Sequence, residues 1–465
     1  MIYLKFTTED VEKLISIQRD YFYSGMTRST DFRKRQLEKL AKSIKKYEKD
    51  VIKALNLDLG KSEFESYTNE VGMVLSSIRY MLKQIDEWVK PEEVKTPLSL
   101  QPAKSFIIRE PYGVTLIIAP FNYPFQLVME PLIGAIIGGN TAVIKPSESA
   151  VHTCAIIKTI IEETFEPQYI QVVEGEKEEV TALIQSSFDY IFFTGSVAVG
   201  KVIMRAAAER LTPITLELGG KSPTIVDHTA NLELAAKRIV WGKFNNNGQT
   251  CVAPDYVLVQ QSVYQEFVAL LKKTIQQFFG ENPRESKDYG RIINHKQLER
   301  LAQLLEIEKN HITYGGTYDL QDRYIEPTIL ENISWTNPIM EDEIFGPILP
   351  IMAYDHLQSA IEQIRRLPKP LAAYFFSEHE QAIDYFLEQL SFGGGCINDT
   401  ITHVGNIHLP FGGVGPSGVN AYHGKASFEN FTHPKSIMQR STKVTNDLLY
   451  PPYKNKVKLV RMVLK

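Results

Sequence analysis

The residues best placed to do chemistry in this chain are a thiol, a carboxylate and a carboxamide, each set in turn-forming or glycine-bearing sequence. Cys251 closes the run Asn245-Asn246-Asn247-Gly248-Gln249-Thr250-Cys251, which lies between an amphipathic run at 232–244 and a β-branched, aromatic run at 256–259. The first reads as a helix and the second as a strand, so Cys251 falls in the joining loop, where a side chain can meet a ligand. A loop thiol flanked by backbone amides is expected to have a lowered pKa, and its thiolate is a strong nucleophile. A semi-buried structural cysteine satisfies the same local pattern. Glu217 opens Glu217-Leu218-Gly219-Gly220-Lys221 at the end of one strand-like run, and Asn122 lies in Pro120-Phe121-Asn122-Tyr123-Pro124 at the end of another. A carboxylate, a carboxamide and a thiol are thus each delivered from a strand end or an adjoining loop.

A second group of residues bears on phosphates and ribose. The loop Thr194-Gly195-Ser196-Val197-Ala198-Val199-Gly200-Lys201-Val202 follows a strand and opens a helix. Gly195 permits a tight turn, Ser196 can donate to a phosphate, and the amino end of the helix favours an anion. The stretch nearly matches the phosphate loop of nucleoside triphosphatases, but Val202 stands where that motif needs a magnesium-binding Ser or Thr, and there is no G-x-G-x-x-G. Lys145 and Glu148 can both hydrogen-bond a ribose diol or can simply be solvated. Glu341-Asp342-Glu343 could form a solvated loop or a metal site, yet no histidine stands near, and His379-Glu380 lacks the second histidine of a zinc protease motif. Metal catalysis is therefore not expected. The glycine-rich runs at 393–399 and 410–418 read as close backbone packing, with Cys396 in strand-like context as a packing residue.

The elements that must position these residues follow from periodicity. Residues 8–90 carry apolar stripes at helical spacing, among them Phe32, Leu37, Leu40, Ile44, Tyr47, Val51 and Leu55, with interleaved lysines and acids on the other faces. From 113 onward strands at 114–118, 142–145, 170–173 and 190–193 alternate with helices near 125–138, 151–165, 177–185 and 198–211. That alternation predicts a parallel sheet covered on both faces, with ligands beyond the carboxyl ends of its strands. A second α/β region follows Cys251, with helices at 262–279 and 295–306 and strands around 348–352 and 371–376. Residues 105–109 read as an edge or interface strand.

Composition bounds the rest. The 465 residues exceed one ordinary domain, and 51 basic against 55 acidic residues give no general attraction to nucleic acid. Three cysteines far apart, without C-x-x-C spacing, argue against a disulfide framework and for a reducing compartment. The first residues show no signal-peptide pattern, and the apolar stretch at 131–144 is too short for a membrane helix, so a cytoplasmic protein is expected.

The order and spacing of these stretches, from Pro120 to Phe431, resemble the aldehyde dehydrogenase family and its class 3 branch in particular. The resemblance implies an α/β fold with two parallel-sheet domains and a small β oligomerisation element. The expected division is a cofactor domain at 1–95 and 111–216, a catalytic domain at 217–417, bridging segments at 96–110 and 418–445, and a tail at 446–465. It implies that Cys251 attacks an aldehyde, Asn122 and the Cys251 amide hold the oxyanion, and Glu217 activates water against a thioester. NAD is the implied cofactor, with NADP also used. Lys145 and Glu148 would take the adenosine ribose, Gly195, Ser196 and Gly200 the pyrophosphate turn, and Glu343 the nicotinamide ribose, with Phe345 beside the ring. Asn398 would stand near the substrate tunnel. Medium-chain or aromatic aldehydes and a homodimer are implied, without a membrane anchor, although the short basic segment at 457–464 suits weak contact with a membrane surface. An acyl-CoA-forming enzyme of the same fold and a catalytically silent relative are the alternatives, and the presence of Glu217 weighs against the first.

Overall fold

The computed structural model describes residues 6–445, 447, 450–454 and 456–463; the leader reading at residues 1–5 and the last residues of the tail lie outside them. Two mainly parallel sheets carry the structure. The first has six strands in the order Gly418–Val419, Ile214–Glu217, Tyr190–Thr194, Val114–Ile118, Thr141–Lys145 and Ile170–Val172. Its neighbours run parallel except the short Gly418–Val419, which lies antiparallel to Ile214–Glu217. Tyr190–Thr194, Val114–Ile118 and Thr141–Lys145 are buried along their whole lengths, as strands covered by helices on both faces must be.

Helix Gln126–Gly138 is buried at every position and apolar almost all round. Helices Thr30–Lys46, Gly72–Trp88 and Gly424–Asn430 pack around it, so the amino-terminal region serves as an outer layer on the first sheet. The helical reading of residues 8–90 holds with interruptions: Gly25 and Gly60 turn the chain at positive φ, Tyr47 separates Thr30–Lys46 from Glu48–Leu59, and Tyr67–Val71 forms a π-helical turn. Both glycines occupy the left-handed region that side chains avoid.

The second sheet has seven strands in the order Ile312–Tyr314, Thr328–Leu330, Ile348–Tyr354, Tyr256–Gln260, Pro223–Val226, Ala372–Phe376 and Gly394–Ile397. All its pairings are parallel except that of Ile312–Tyr314, at one edge. Helices Leu232–Phe244 and Tyr264–Phe279 pack against each other, the first leading into the Cys251 loop.

A three-stranded antiparallel sheet stands apart from both. Ala103–Pro111 lies between Glu92–Val94 and Thr432–Arg440, with Ile108 opposite Lys435 and Phe106 opposite both Glu93 and Ile437. The strand read at 105–109 is thus the centre of this small sheet. Its partner Glu92–Val94 escaped the reading because two exposed glutamates mask it, a common device on an edge strand. Among the described residues of the tail, Lys456–Val463 forms a short helix. Among the described residues no helix is long and apolar enough to cross a membrane.

Candidate active site

The carboxyl ends of the first sheet and the amino ends of the second face a common cleft of about 690 Å³. Its lining includes Asn122, Gly195, Ser196, Glu217, Cys251, Glu343 and Phe345, which reach it from five separate segments. Glu217 is the last residue of its strand, where its carbonyl accepts from the Gly195 amide at 3.0 Å and ties the two loops together. Asn122 follows Val114–Ile118 by four residues. Cys251 ends the tight run after helix Leu232–Phe244, in which Asn246 and Asn247 both adopt positive φ, 50° and 54°. The flanking glycines and asparagines made this loop visible, because few other residues tolerate that backbone.

Electrostatics at the cleft differ from the expectation for Cys251. Burial pushes its thiol up to about 12, with Glu343 and Glu217 acting in the same direction, and the amides of Cys251 and Val252 recover only part of the shift. The lowered pKa read from the loop is corrected: desolvation and two neighbouring carboxyls outweigh the local amide dipoles. Glu217 is 1% exposed, and neither of its carboxyl oxygens has a hydrogen-bond partner among the described residues, so burial alone raises it well above the ordinary carboxyl value. A buried carboxyl left without a donor is expensive, and such groups cluster where proton transfer is needed. The Asn122 carboxamide has no hydrogen-bond partner among the described residues and is free to serve the cleft.

The cofactor residues fall into two sets. Ser196 caps the helix Val197–Ala208, its Oγ accepting from the Val199 amide at 3.4 Å while its own proton remains free. The buried Thr194 Oγ1 beside it has no partner. Glu343 is held up at about 8 by burial and by Asp255, and its carboxylate accepts from the Gly220 amide. A Cβ on Gly219 would stand 2.0 Å from Glu343 Oε2, so the glycine is the space that the carboxylate occupies. Phe345, at φ 50°, sets its ring edge-on to Phe121 at 5.8 Å. The helix amino end, the orphaned Thr194 hydroxyl and the glycine cradle fit a dinucleotide.

Lys145, Glu148 and Gly200 are not among the residues lining the cleft. Lys145 is almost fully buried and bonds Glu148 at 2.6 Å and the Pro146 carbonyl at 2.9 Å, while Glu148 is half exposed. Gly200 lies one turn into its helix, where a Cβ would meet the Leu218 side chain at 2.6 Å; it lets helix and strand end approach. Asn398 is committed to structure, since its carboxamide pairs with both backbone groups of Ser377. Cys396 packs 3.5 Å from His403 Nδ1 in the strand Gly394–Ile397.

The sequence profile of the aldehyde dehydrogenase family matches residues 3–437. The chain belongs to the aldehyde dehydrogenase family. It is 52% identical to the 4,4'-diaponeurosporen-aldehyde dehydrogenase of Staphylococcus aureus (strain NCTC 8325 / PS 47) over 98% of this chain and 99% of that protein. It is 44% identical to the dimeric NADP-preferring aldehyde dehydrogenase of Mus musculus, over 95% and 98% of the two chains. A substrate-bound Staphylococcus aureus AldH structure superposes with a TM-score of 0.96 at 51% identity, covering 98% of this chain and 99% of that one. An indole-3-acetaldehyde dehydrogenase of P. syringae, solved with NAD+, gives 0.86 at 26% identity over 94% and 90%. The chain is an NAD(P)-dependent aldehyde dehydrogenase with class 3 relatives, and its two-sheet α/β fold is that of the family.

Several side chains at the aldehyde dehydrogenase cleft gave no sequence signal. Lys221 Nζ bonds Asp255 at 2.5 Å and the carbonyls of Ile339 and Asp342, pinning the 341–347 loop. Arg300 also lines the cleft and bonds the Ile344 carbonyl at 2.7 Å. Both link segments far apart in sequence, which no local pattern reports.

Proposed function

We propose that the enzyme oxidises apolar aldehydes, of medium-chain or aromatic type, to carboxylic acids through a thioester on Cys251. The observation that carries this reading is the convergence of Cys251, Asn122 and a buried, unpartnered Glu217 on one cleft. Cys251 Sγ, once deprotonated, attacks the carbonyl carbon, and the negative charge moves to the former carbonyl oxygen. Asn122 Nδ2 and the Cys251 amide donate to that oxyanion. The nicotinamide cofactor, when bound, supplies the hydride acceptor, which leaves the carbon as a thioester. Glu217, as carboxylate, then takes a proton from water; the hydroxide adds to the thioester, and the Cys251 thiolate leaves as the acid forms.

A second cavity of about 370 Å³ shares no lining residue with the cleft and mixes Met73, Leu75, Val404 and Ile407 with Arg79, Ser76, Glu130 and His423, so the apolar reading rests on Phe121 at the cleft and on the class 3 resemblance. Burial holds Glu130 at about 8 and His423 at about 4, so both are neutral near pH 7. Within this reading NAD is preferred and NADP is used: Glu148 would accept from the ribose hydroxyls of NAD and repel a 2′-phosphate, with Lys145 offsetting part of that repulsion. Residues 1–95 and 111–216 would form the cofactor domain, 217–417 the catalytic domain, and 96–110 with 418–445 the dimer contacts of a cytoplasmic protein.

The test is Cys251→Ser, assayed by NADH absorbance on a panel of aliphatic, aromatic and carotenoid aldehydes and an acidic semialdehyde. The variant is expected to lose oxidation while binding NAD as the wild type does. Full activity in the variant, or a wild-type preference for the semialdehyde, contradicts the proposal.

A further inference from the structure

Asn122 is held from behind by buried charge. Its backbone carbonyl accepts from Lys61 Nζ at 2.9 Å and from Asn246 Nδ2 at 2.8 Å. Lys61 is 0% exposed, sits 2.5 Å from Glu70 Oε1, and places its ammonium 4.0 Å from the centre of the Tyr123 ring. Glu70, from the π-helical turn Tyr67–Val71, spends its other oxygen on the amides of Phe125 and Gln126 at 2.8 and 3.2 Å. Helix Gln126–Gly138 has no side-chain cap from Phe125, so Glu70 supplies the missing acceptor from 55 residues away. Asn246 in turn bonds the Gln249 carbonyl at 3.1 Å, and its amide donates to Glu65 Oε1 at 2.7 Å, which couples the segment before Asn122 to the one before Cys251.

A fully buried ion pair costs desolvation that its own attraction seldom recovers, so its retention is better explained by the geometry it enforces. Here that geometry is specific. The backbone of residues 122–126 is gripped at one carbonyl and two amides, while the Asn122 carboxamide is left unbonded at the cleft. We propose that Lys61, braced by Glu70, is a positioning residue for aldehyde oxidation: it fixes the Asn122 backbone and thereby aims the carboxamide at the developing oxyanion. This rests on the oxyanion role given to Asn122 above. Lys61 bonds neither the thiol nor Glu217; its second route to the cleft is the Tyr123 ring, whose hydroxyl pairs with Thr250 Oγ1 at 2.7 Å beside Cys251, and the alkylation rate reads that route separately.

The experiment is a double-mutant cycle in the full-length enzyme with Lys61→Met, Asn122→Ala and the two combined. It reads kcat, KM, the NAD dissociation constant and the rate of Cys251 alkylation by iodoacetamide. Lys61→Met is expected to lower kcat roughly tenfold, short of the ~10² to 10³ that follows loss of a whole oxyanion donor. The NAD constant and alkylation rate should stay within about twofold, and in the Asn122→Ala background the Lys61 change should cost less than about twofold more. Because Lys61→Met strands the Glu70 carboxylate, Lys61→Met/Glu70→Gln is run alongside; if only this variant folds, the same cycle is read from it. Multiplicative losses, or alkylation and NAD binding that fall in step with kcat, would make the pair a general fold element and overturn the inference. Unchanged kcat on removing Lys61 also overturns it. If Asn122→Ala alone keeps full activity, the oxyanion assignment fails first, and the cycle shows that separately.

Discussion

At the scale of single residues, environment decides what each titratable group can do. Desolvation pushes both Cys251 and Glu217 upward, the thiol to about 12, so the free thiol is a guarded nucleophile rather than a standing thiolate. Lys145 and Glu148 show the opposite: one is buried, the other half exposed, and each is the other's partner at 2.6 Å. If that carboxylate bears on the cofactor's ribose, Glu148→Gln should raise kcat/KM for NADP relative to NAD. One like-charge contact in a partly solvated groove is on the order of 1 kcal/mol, or about five- to tenfold in that ratio. An unchanged ratio in steady-state assays with both cofactors would remove Glu148 from the ribose.

At the scale of elements, helix Gln126–Gly138 carries a carboxyl inside an otherwise apolar layer. Glu130 accepts from Ser77 Oγ at 2.8 Å, and burial lifts it to about 8. Its folded value lies above the ordinary carboxyl value, so its contribution to stability is complete below about 4.5 and is lost as the pH rises through about 8. Glu130→Gln removes that titration. The unfolding midpoint of the variant relative to the wild type should therefore climb between pH 5 and 9, by up to a few kcal/mol of stability. A difference that stays flat across that range would show that the carboxyl is not strained in place. Elements were also what the sequence reported best. Apolar runs bounded by glycine and proline marked seven strands, from Val114–Ile118 to Ala372–Phe376, to within two residues, because a strand buried on both faces has little choice of composition; the equally buried but short Pro223–Val226 and Thr328–Leu330 were not read. Glu92–Val94 and the π-helical turn Tyr67–Val71 were not legible, since an exposed strand and a one-residue bulge leave no periodic trace.

At the scale of the whole molecule, the small sheet is too thin to bury its own residues. Phe106, Ile107 and Ile108 are only half buried, and Leu98 and Met438 are exposed on the same unit, at 90% and 46%. The proposed homodimer would cover this surface and those apolar side chains. Leu98→Glu/Met438→Glu should shift the mass seen by light scattering from twice 52.9 kDa toward 52.9 kDa, and a dimer of unchanged strength would place the contact elsewhere. The site was legible at this scale only in part. Cys251, Glu217 and Asn122 stand out because glycine, asparagine and proline frame them; Lys61, Glu70 and Lys221 do not, because their partners lie 9 to 121 residues away and only folding brings them together. The direction of the Cys251 shift was misread for the same reason, as burial and the Glu343 carboxyl arrive from other segments.

In the proposed reaction one cleft forms a thioester on Cys251 and needs Glu217 to release it. Rapid-mixing absorbance of Glu217→Gln with saturating NAD and aldehyde tests this most directly, at micromolar enzyme. A burst of NADH equal to the concentration of active sites, followed by a stall of about 10² or more in the steady rate, is the predicted result. A steady rate equal to that of the wild type, with no burst, would contradict it.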